Sequence, residues 1–100
     1  MNTITKETTI KMGTRLEVIQ RDNGTCIFCG QQAVDIMHYI SRGRLGLGIP
    51  ENLACGCRKC HTRLDHSGDR VAMLVQFRLY LEVLYPNFKN EDRIFKKGKL

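Results

Sequence analysis

The stretch CIFCGQQAVDIMHYISRGRLGLGIPENLACGCRKCHTRLD (26–65) decides how this chain folds. It opens on one Cys-x-x-Cys pair, Cys26/Cys29, and carries a second near its end, Cys57/Cys60, with 27 residues between them. An x-x turn places both sulfurs on one side of the backbone, so two such knuckles complete a tetrahedral four-cysteine shell with Zn–S bonds of about 2.3 Å. A closed shell leaves no position for water, which makes a zinc here structural rather than catalytic. Redox chemistry at one pair and an iron–sulfur site are the competing uses of the same thiols, and the paired-knuckle pattern favours zinc. The fifth cysteine, Cys55, reads as a small apolar core residue, because a free thiol packs like a hydrophobe.

Between the knuckles, Val34–Ile40 alternates as a strand, with Val34, Ile36, His38 and Ile40 on one face and Asp35, Met37 and Tyr39 on the other. Ser41–Gly48 (SRGRLGLG) holds three glycines and two arginines and predicts a mobile basic loop. Ile49-Pro50-Glu51-Asn52 leads into a second strand near Leu53–Cys55, giving a hairpin with a long connection. The second knuckle runs into a short helix carrying His61, Thr62, Arg63, Leu64 and Asp65, broken by His66-Ser67-Gly68.

Outward from this stretch, Gly13–Arg21 has helical spacing, with Leu16, Ile19 and Met12 predicted to face the core, and Asp22-Asn23-Gly24 stops it. Asp69 suits the N-cap of a last helix from Arg70 to about Tyr85, whose apolar stripe runs through 71, 74, 77, 81 and 84, widened by Met73, Leu79, Tyr80 and Val83. Pro86 ends it. Residues 1–11 and 87–100 are expected to be loose ends of a single domain spanning 1–100 with its core at about 12–85; Lys96, Lys97 and Lys99 read as solvated tail charges.

A chain of 100 residues with 42% apolar and 26% charged residues belongs to one globular domain, and at this size a metal staple supplements a small core. Its longest uncharged runs are far short of the ~20 apolar residues that cross a bilayer. The polar start (1–12), with both signs of charge, is unlike a signal peptide, so a cytoplasmic location is expected. Sixteen Lys and Arg against ten Asp and Glu leave +6, which four thiolates and one doubly charged ion lower by two. Such a basic domain suits a polyanionic partner, nucleic acid being the commonest.

His38, Asn52 and His61 complete the pattern. A histidine on the first strand, an asparagine opening the second, and a histidine directly after the last zinc cysteine converge on one hairpin-plus-helix face. With CIFCG (26–30), DIMHYISR (35–42), GLGIPENL (46–53) and CRKCH (57–61), the sequence resembles the HNH endonucleases of the ββα-metal fold, and most of all their small phage-type members with a four-cysteine zinc site. The resemblance covers about 15–68, and the last helix with its Tyr-Pro ending fits the same members.

The resemblance implies an α+β fold: a ββα-metal hairpin-plus-helix core with zinc knuckles and flanking N- and C-terminal helices. It implies that His38 is the general base that deprotonates the attacking water, a role a neutral imidazole suits near pH 7. Asn52 would tie down the loop and hold the His38 ring through its amide. His61 would ligate a single catalytic Mg2+ or Mn2+, and the products would carry 5′-phosphate and 3′-hydroxyl ends. Many members place Asp, Glu or His, a second ligand, immediately before the base; here Met37 stands there, a thioether with little affinity for a hard cation. Asp65, four residues beyond His61 on one helix face, is the first replacement, with Asp35 and His66 next.

Arg42, Arg44, Arg58, Lys59 and Arg63 surround this centre in sequence and would neutralise DNA phosphates, Arg42 and Arg44 foremost. No helix reads bases, so low intrinsic sequence specificity is expected. The implied protein is a cytoplasmic, phage- or prophage-encoded nuclease acting as a monomer or weak dimer, with a phage protein as partner. From another class comes a catalytically inactive zinc module that binds nucleic acid or protein, with Met37 marking a decayed metal site. A zinc deaminase is excluded, because no His-x-Glu precedes the second knuckle.

Overall fold

The computed structural model describes residues 2–96. The expectations for Lys97 and Lys99 lie outside the described residues. Six longer elements follow in order: α1 (Thr3–Thr8), α2 (Met12–Arg21), β1 (Asp35–His38), β2 (Leu53–Gly56), α3 (Arg58–His66) and α4 (Arg70–Leu84). Single 3-10 turns lie at Arg42–Arg44, Pro50–Asn52 and Asn90–Arg93. The architecture is small α+β, a two-stranded antiparallel hairpin with helices on both faces. Among the described residues, no helix is long and apolar enough to cross a membrane.

The hairpin register pairs Asp35 with Gly56, Ile36 with Cys55, Met37 with Ala54 and His38 with Leu53. Strand alternation then divides the core in two. Met37 and Ala54 face α3 and α4, where Leu64, Met73, Phe77 and Leu81 pack with Cys26 and Cys60. The opposite face sets Leu53 and Cys55 against Val18 of α2, with Ile36 beside them. Cys55 is therefore a core residue, as expected of a free thiol that packs like a hydrophobe. β1 is shorter than the alternating run because the main chain of Ile40 bonds to the Asn52 side chain instead of a facing strand.

Two helical faces differ from the apolar stripes. On α2 the buried residue is Val18, while Met12, Leu16 and Ile19 are 68%, 58% and 39% exposed. The register of α2 is fixed at its C-terminal end, where Arg21 and Asp22 plug into β2; Val18 lies one turn back on that face. On α4 the row Met73, Phe77, Leu81 meets the hairpin, and Val71 and Leu84 face solvent. Phe77 sits edge-on to Phe28 of the first knuckle and tilted against Tyr39, which sets that choice. Asp69 makes no side-chain cap bond and pairs instead with Arg63 at 2.9 Å.

Within the ends expected to be loose, the described residues 2–11 and 87–96 carry structure. Asn2 caps α1, accepting from the Thr5 N–H at 2.8 Å, and Thr8 is buried. After α4, the Asn90–Arg93 turn buries Arg93 against the rings of Phe88 and Tyr39, and its Nε donates to the Glu51 carbonyl at 2.5 Å. Neither segment shows hydrophobic periodicity, because both dock through main-chain groups, hydroxyls and one guanidinium.

Candidate functional site

The two knuckles bring Cys26, Cys29, Cys57 and Cys60 together, with their sulfurs within 4.8 Å of one another. Gly30, at φ +78°, makes the left-handed turn that closes the first knuckle, its N–H returning to the Cys26 carbonyl at 2.9 Å. In the second, the Cys57 sulfur caps α3 by accepting from the Cys60 N–H. Burial pushes the Cys26 thiol up, but main-chain N–H groups of Cys57, Cys29 and Phe28 outweigh it and bring the thiol down to about 7. Burial and then the neighbouring sulfurs push Cys60 up to about 12. Four soft donors at this spacing, served by amides that stabilise thiolate, fit a structural metal such as zinc, whose charge would let all four ionise together.

His38 ends β1, half-buried, with Nε2 3.1 Å from the main-chain oxygen of Thr8. A carbonyl only accepts, so Nε2 carries the proton and Nδ1 of the neutral ring holds the free lone pair. Burial lowers the His38 pKa; the Thr8 bond opposes this, and the charges of Arg42 and His61 add to the lowering. Neutral imidazole is thus the favoured form near pH 7. Arg42 lies against the same segment, with Nε 3.5 Å from the Thr8 hydroxyl and Nη2 3.4 Å from that of Thr9.

Asn52 is fully buried at the mouth of the hairpin. Its Oδ1 accepts from the Ile40 N–H at 2.9 Å, while Nδ2 donates to the carbonyls of Ile40 at 3.0 Å and Leu47 at 2.8 Å. These bonds hold the main chain two residues beyond His38, without touching its ring. The 41–48 loop, expected to be mobile, is pinned at further points. Leu47 N–H donates to Arg93, Gly48 N–H to Glu7, and Phe95 N–H to Leu45. A side chain at Gly46 would place its Cβ 1.7 Å from the Ile40 oxygen, so this close approach admits glycine alone.

Met37 is fully buried in the cluster that holds Phe77 and Leu81, with its sulfur where a side chain on Gly56 would stand. Two residues away on the same face, Asp35 meets α3: its Oδ2 lies 3.0 Å from His61 Nδ1. Asp65 Oδ2 lies 3.4 Å from the other ring nitrogen, Nε2. His61 therefore stands between two carboxylates, one on each nitrogen. Arg58 grips Asp35 through Nε at 2.7 Å and Nη2 at 2.9 Å. That guanidinium first, then His61, holds the Asp35 carboxyl down at about 2 against the opposing effect of burial. His66 is exposed at the C-terminal end of α3.

The basic residues divide by partner. Arg58 is on Asp35, Arg63 on Asp69, and Arg42 on the Thr8 and Thr9 hydroxyls. Arg44 and Lys59 are exposed and make no ion pair among the described residues.

Three supports of the site escape sequence reasoning. The Thr8 carbonyl is main chain and leaves no residue signal. Arg93 sits in a charged tail segment that looks solvated. Asp22 looks like a turn residue, yet it accepts two bonds from Arg21, one from the Cys55 N–H at 2.9 Å and a short one from the Tyr80 hydroxyl. Arg21 also reaches the carbonyls of Pro50 at 2.8 Å and Leu53 at 2.6 Å, tying α2 to both sides of Asn52. The adjacent Arg-Asp pair just before a stop signal was the available clue.

No protein-family model and no curated protein matches the sequence. Among solved structures, 86% of the chain superposes on the Type IV phosphorothioation-dependent restriction endonuclease ScoMcrA, with a TM-score of 0.70 and 16% identity. The match spans 19% of that protein's chain, about a fifth of its length. At this identity the likeness is one of fold, and it is consistent with a ββα-metal core.

Proposed function

We propose that this chain is a metal-dependent DNA endonuclease of the HNH type, with His38 as general base and one divalent ion, Mg2+ or Mn2+, held by Asp35 and His61. The observation that carries the reading is the setting of His38: its Nε2–H is committed to the Thr8 carbonyl, burial favours the neutral ring, and Nδ1 is left to take a proton from water. The fold shared with a restriction endonuclease supports the same reading.

Asp35 replaces Asp65 as the first choice of carboxylate ligand. Asp35 Oδ2 and His61 Nδ1 stand 3.0 Å apart in a hydrogen bond; once Nδ1 gives up that proton to solvent, the two would serve as adjacent ligands of one octahedral ion, whose neighbouring ligands are about 3.0 Å apart. Asp65, on Nε2, then fits the partner that orients a ligating imidazole through its other nitrogen. When bound, the ion would stabilise charge on the phosphoryl group and the leaving 3′-oxygen. Asn52 acts by fixing the main chain beside His38, and Arg44, Lys59 and Arg42 neutralise phosphates without reading bases. The zinc among the four cysteines holds the frame.

The test is nicking of supercoiled plasmid with Mg2+, Mn2+ or EDTA. Cleavage by the parent with Mn2+, its loss in EDTA, and its loss in H38A at unchanged zinc content and circular dichroism are expected. If H38A cuts as fast as the parent, His38 is not the base. If the parent does not cut with either ion, the chain is a zinc-stabilised nucleic-acid-binding module instead.

A further inference from the structure

We infer that Arg58 competes with the divalent ion for Asp35, so that loading the ion frees the Arg58 guanidinium to bind a DNA phosphate. The inference rests on the ion site proposed above and assigns Arg58 a role there that the phosphate-binding expectation does not contain.

The geometry sets both cations on one carboxylate. Arg58 occupies both Asp35 oxygens, and its Nε stands 2.7 Å from the Oδ2 that also faces His61 Nδ1 at 3.0 Å. An ion bonded to that Oδ2 would draw on the same negative charge that now holds the guanidinium, like charge beside like charge, so each would weaken the other's hold. The side chain of Asp35 is 16% exposed and fixed on the strand, whereas that of Arg58 is 74% exposed. Arg58 is therefore the partner that moves.

Its position favours departure. Arg58 is the first residue of α3, where the positive end of the helix dipole repels a cation, and Asp35 is its one ion-pair partner among the described residues. Once the ion takes Asp35, Arg58 stands beside Lys59 on the exposed start of the helix. A planar guanidinium released there has the fork that phosphate oxygens accept. Ion and DNA would then bind cooperatively, and by linkage each would strengthen the other equally.

Two measurements test this on the zinc-loaded full chain. Titration with Mn2+ alone, read by the electron-spin resonance of free ion, compares parent, R58Q, D35N and H38A. R58Q should bind Mn2+ about three- to fivefold more tightly, the size suited to losing a largely exposed competitor. D35N should bind at least about tenfold more weakly, and H38A should match the parent. The second measurement is DNA affinity against salt with and without Mn2+, by fluorescence anisotropy on a short duplex, in the H38A background to prevent cutting. Mn2+ should steepen the slope by about 0.9 more, one phosphate contact, in H38A than in H38A/R58Q. If D35N weakens binding while R58Q equals or falls below the parent, the ion site stands and the competition is refuted. If D35N binds Mn2+ like the parent, the ion site itself is wrong.

Discussion

Replacing Asn52 by aspartate changes one NH2 group to oxygen and should be one of the most damaging near-isosteric changes in the chain. Asn52 is fully buried, accepts from the Ile40 N–H, and donates to the carbonyls of Ile40 and Leu47 at 3.0 and 2.8 Å. In N52D the acceptor survives, but both donors become a carboxylate oxygen aimed at two carbonyl oxygens. Losing two bonds at about 1 kcal/mol each, with two buried acceptors left unpaired, costs about 3 kcal/mol, and a buried anion would add several more. The folded state avoids part of that by keeping the introduced carboxyl protonated, which raises its pKa and restores one donor. The folded state then holds more protons than the unfolded chain, so stability falls as pH rises from about 4 to the raised value, by up to about 1.4 kcal/mol per pH unit. Urea unfolding followed by circular dichroism at pH 5.0, 6.5 and 8.0, parent against N52D with zinc present, gives the difference at each pH. The expected gap is about 1–2 kcal/mol at the lowest pH and about 3–5 at the highest. A gap within about 0.5 kcal/mol at all three would refute the assigned role of the amide.

Asp22→Ala should cost about 3–5 kcal/mol by leaving the largely buried Arg21 guanidinium unpaired, seen as a fall in the urea midpoint. Because burial of Asp22 is outweighed by its bonds to Arg21, Tyr80 and Cys55, its folded pKa is lowered. Its contribution is therefore present above the unfolded value near 3.9 and is lost as pH falls toward the lowered one, which acid titration of parent against D22A will read. The nicking rate with Mn2+ should hold below pH 6.5 before it falls, since His38 is shifted down; an acid limb with its midpoint above about 7 contradicts this. Stripping zinc with a strong chelator should unfold the domain, and Mg2+ should not restore it, as hard cations do not replace zinc among thiolates; circular dichroism and released zinc measure both.

The frame was legible because its signals are local. Cys-x-x-Cys spacing, period-two alternation through Val34–Ile40 and the turn signals between elements each depend on neighbours in sequence, and the hairpin, the knuckles and α3 follow from them. Helix faces were less legible. Apolar spacing on α2 and α4 offers more than one stripe, and which one turns inward is decided elsewhere: by Arg21 and Asp22 plugging into β2, and by Phe77 meeting Phe28 and Tyr39. Least legible were contacts whose chemistry is main chain. The Thr8 carbonyl that sets the His38 tautomer could come from any residue type, so no motif announces it.

On the proposed reading, Met37 stands before His38 because that strand position belongs to the core. The strand face toward α3 and α4 carries Asp35, Met37 and Tyr39 in a row, and its middle position is in the Phe77 cluster, opposite Ala54. A carboxylate there would be buried among Leu64, Met73 and Leu81, where an unpaired charge costs several kcal/mol by order of magnitude. A step of two residues keeps the face and moves a ligand about 6.6 Å along the strand. That step reaches Asp35, at the open end of the hairpin, opposite the side-chain-free Gly56 and within reach of His61. On the proposed reading, the hairpin thus gives its middle to the core and its end to the ion. The position before the base becomes apolar as a consequence, and the test of activity falls on Asp35.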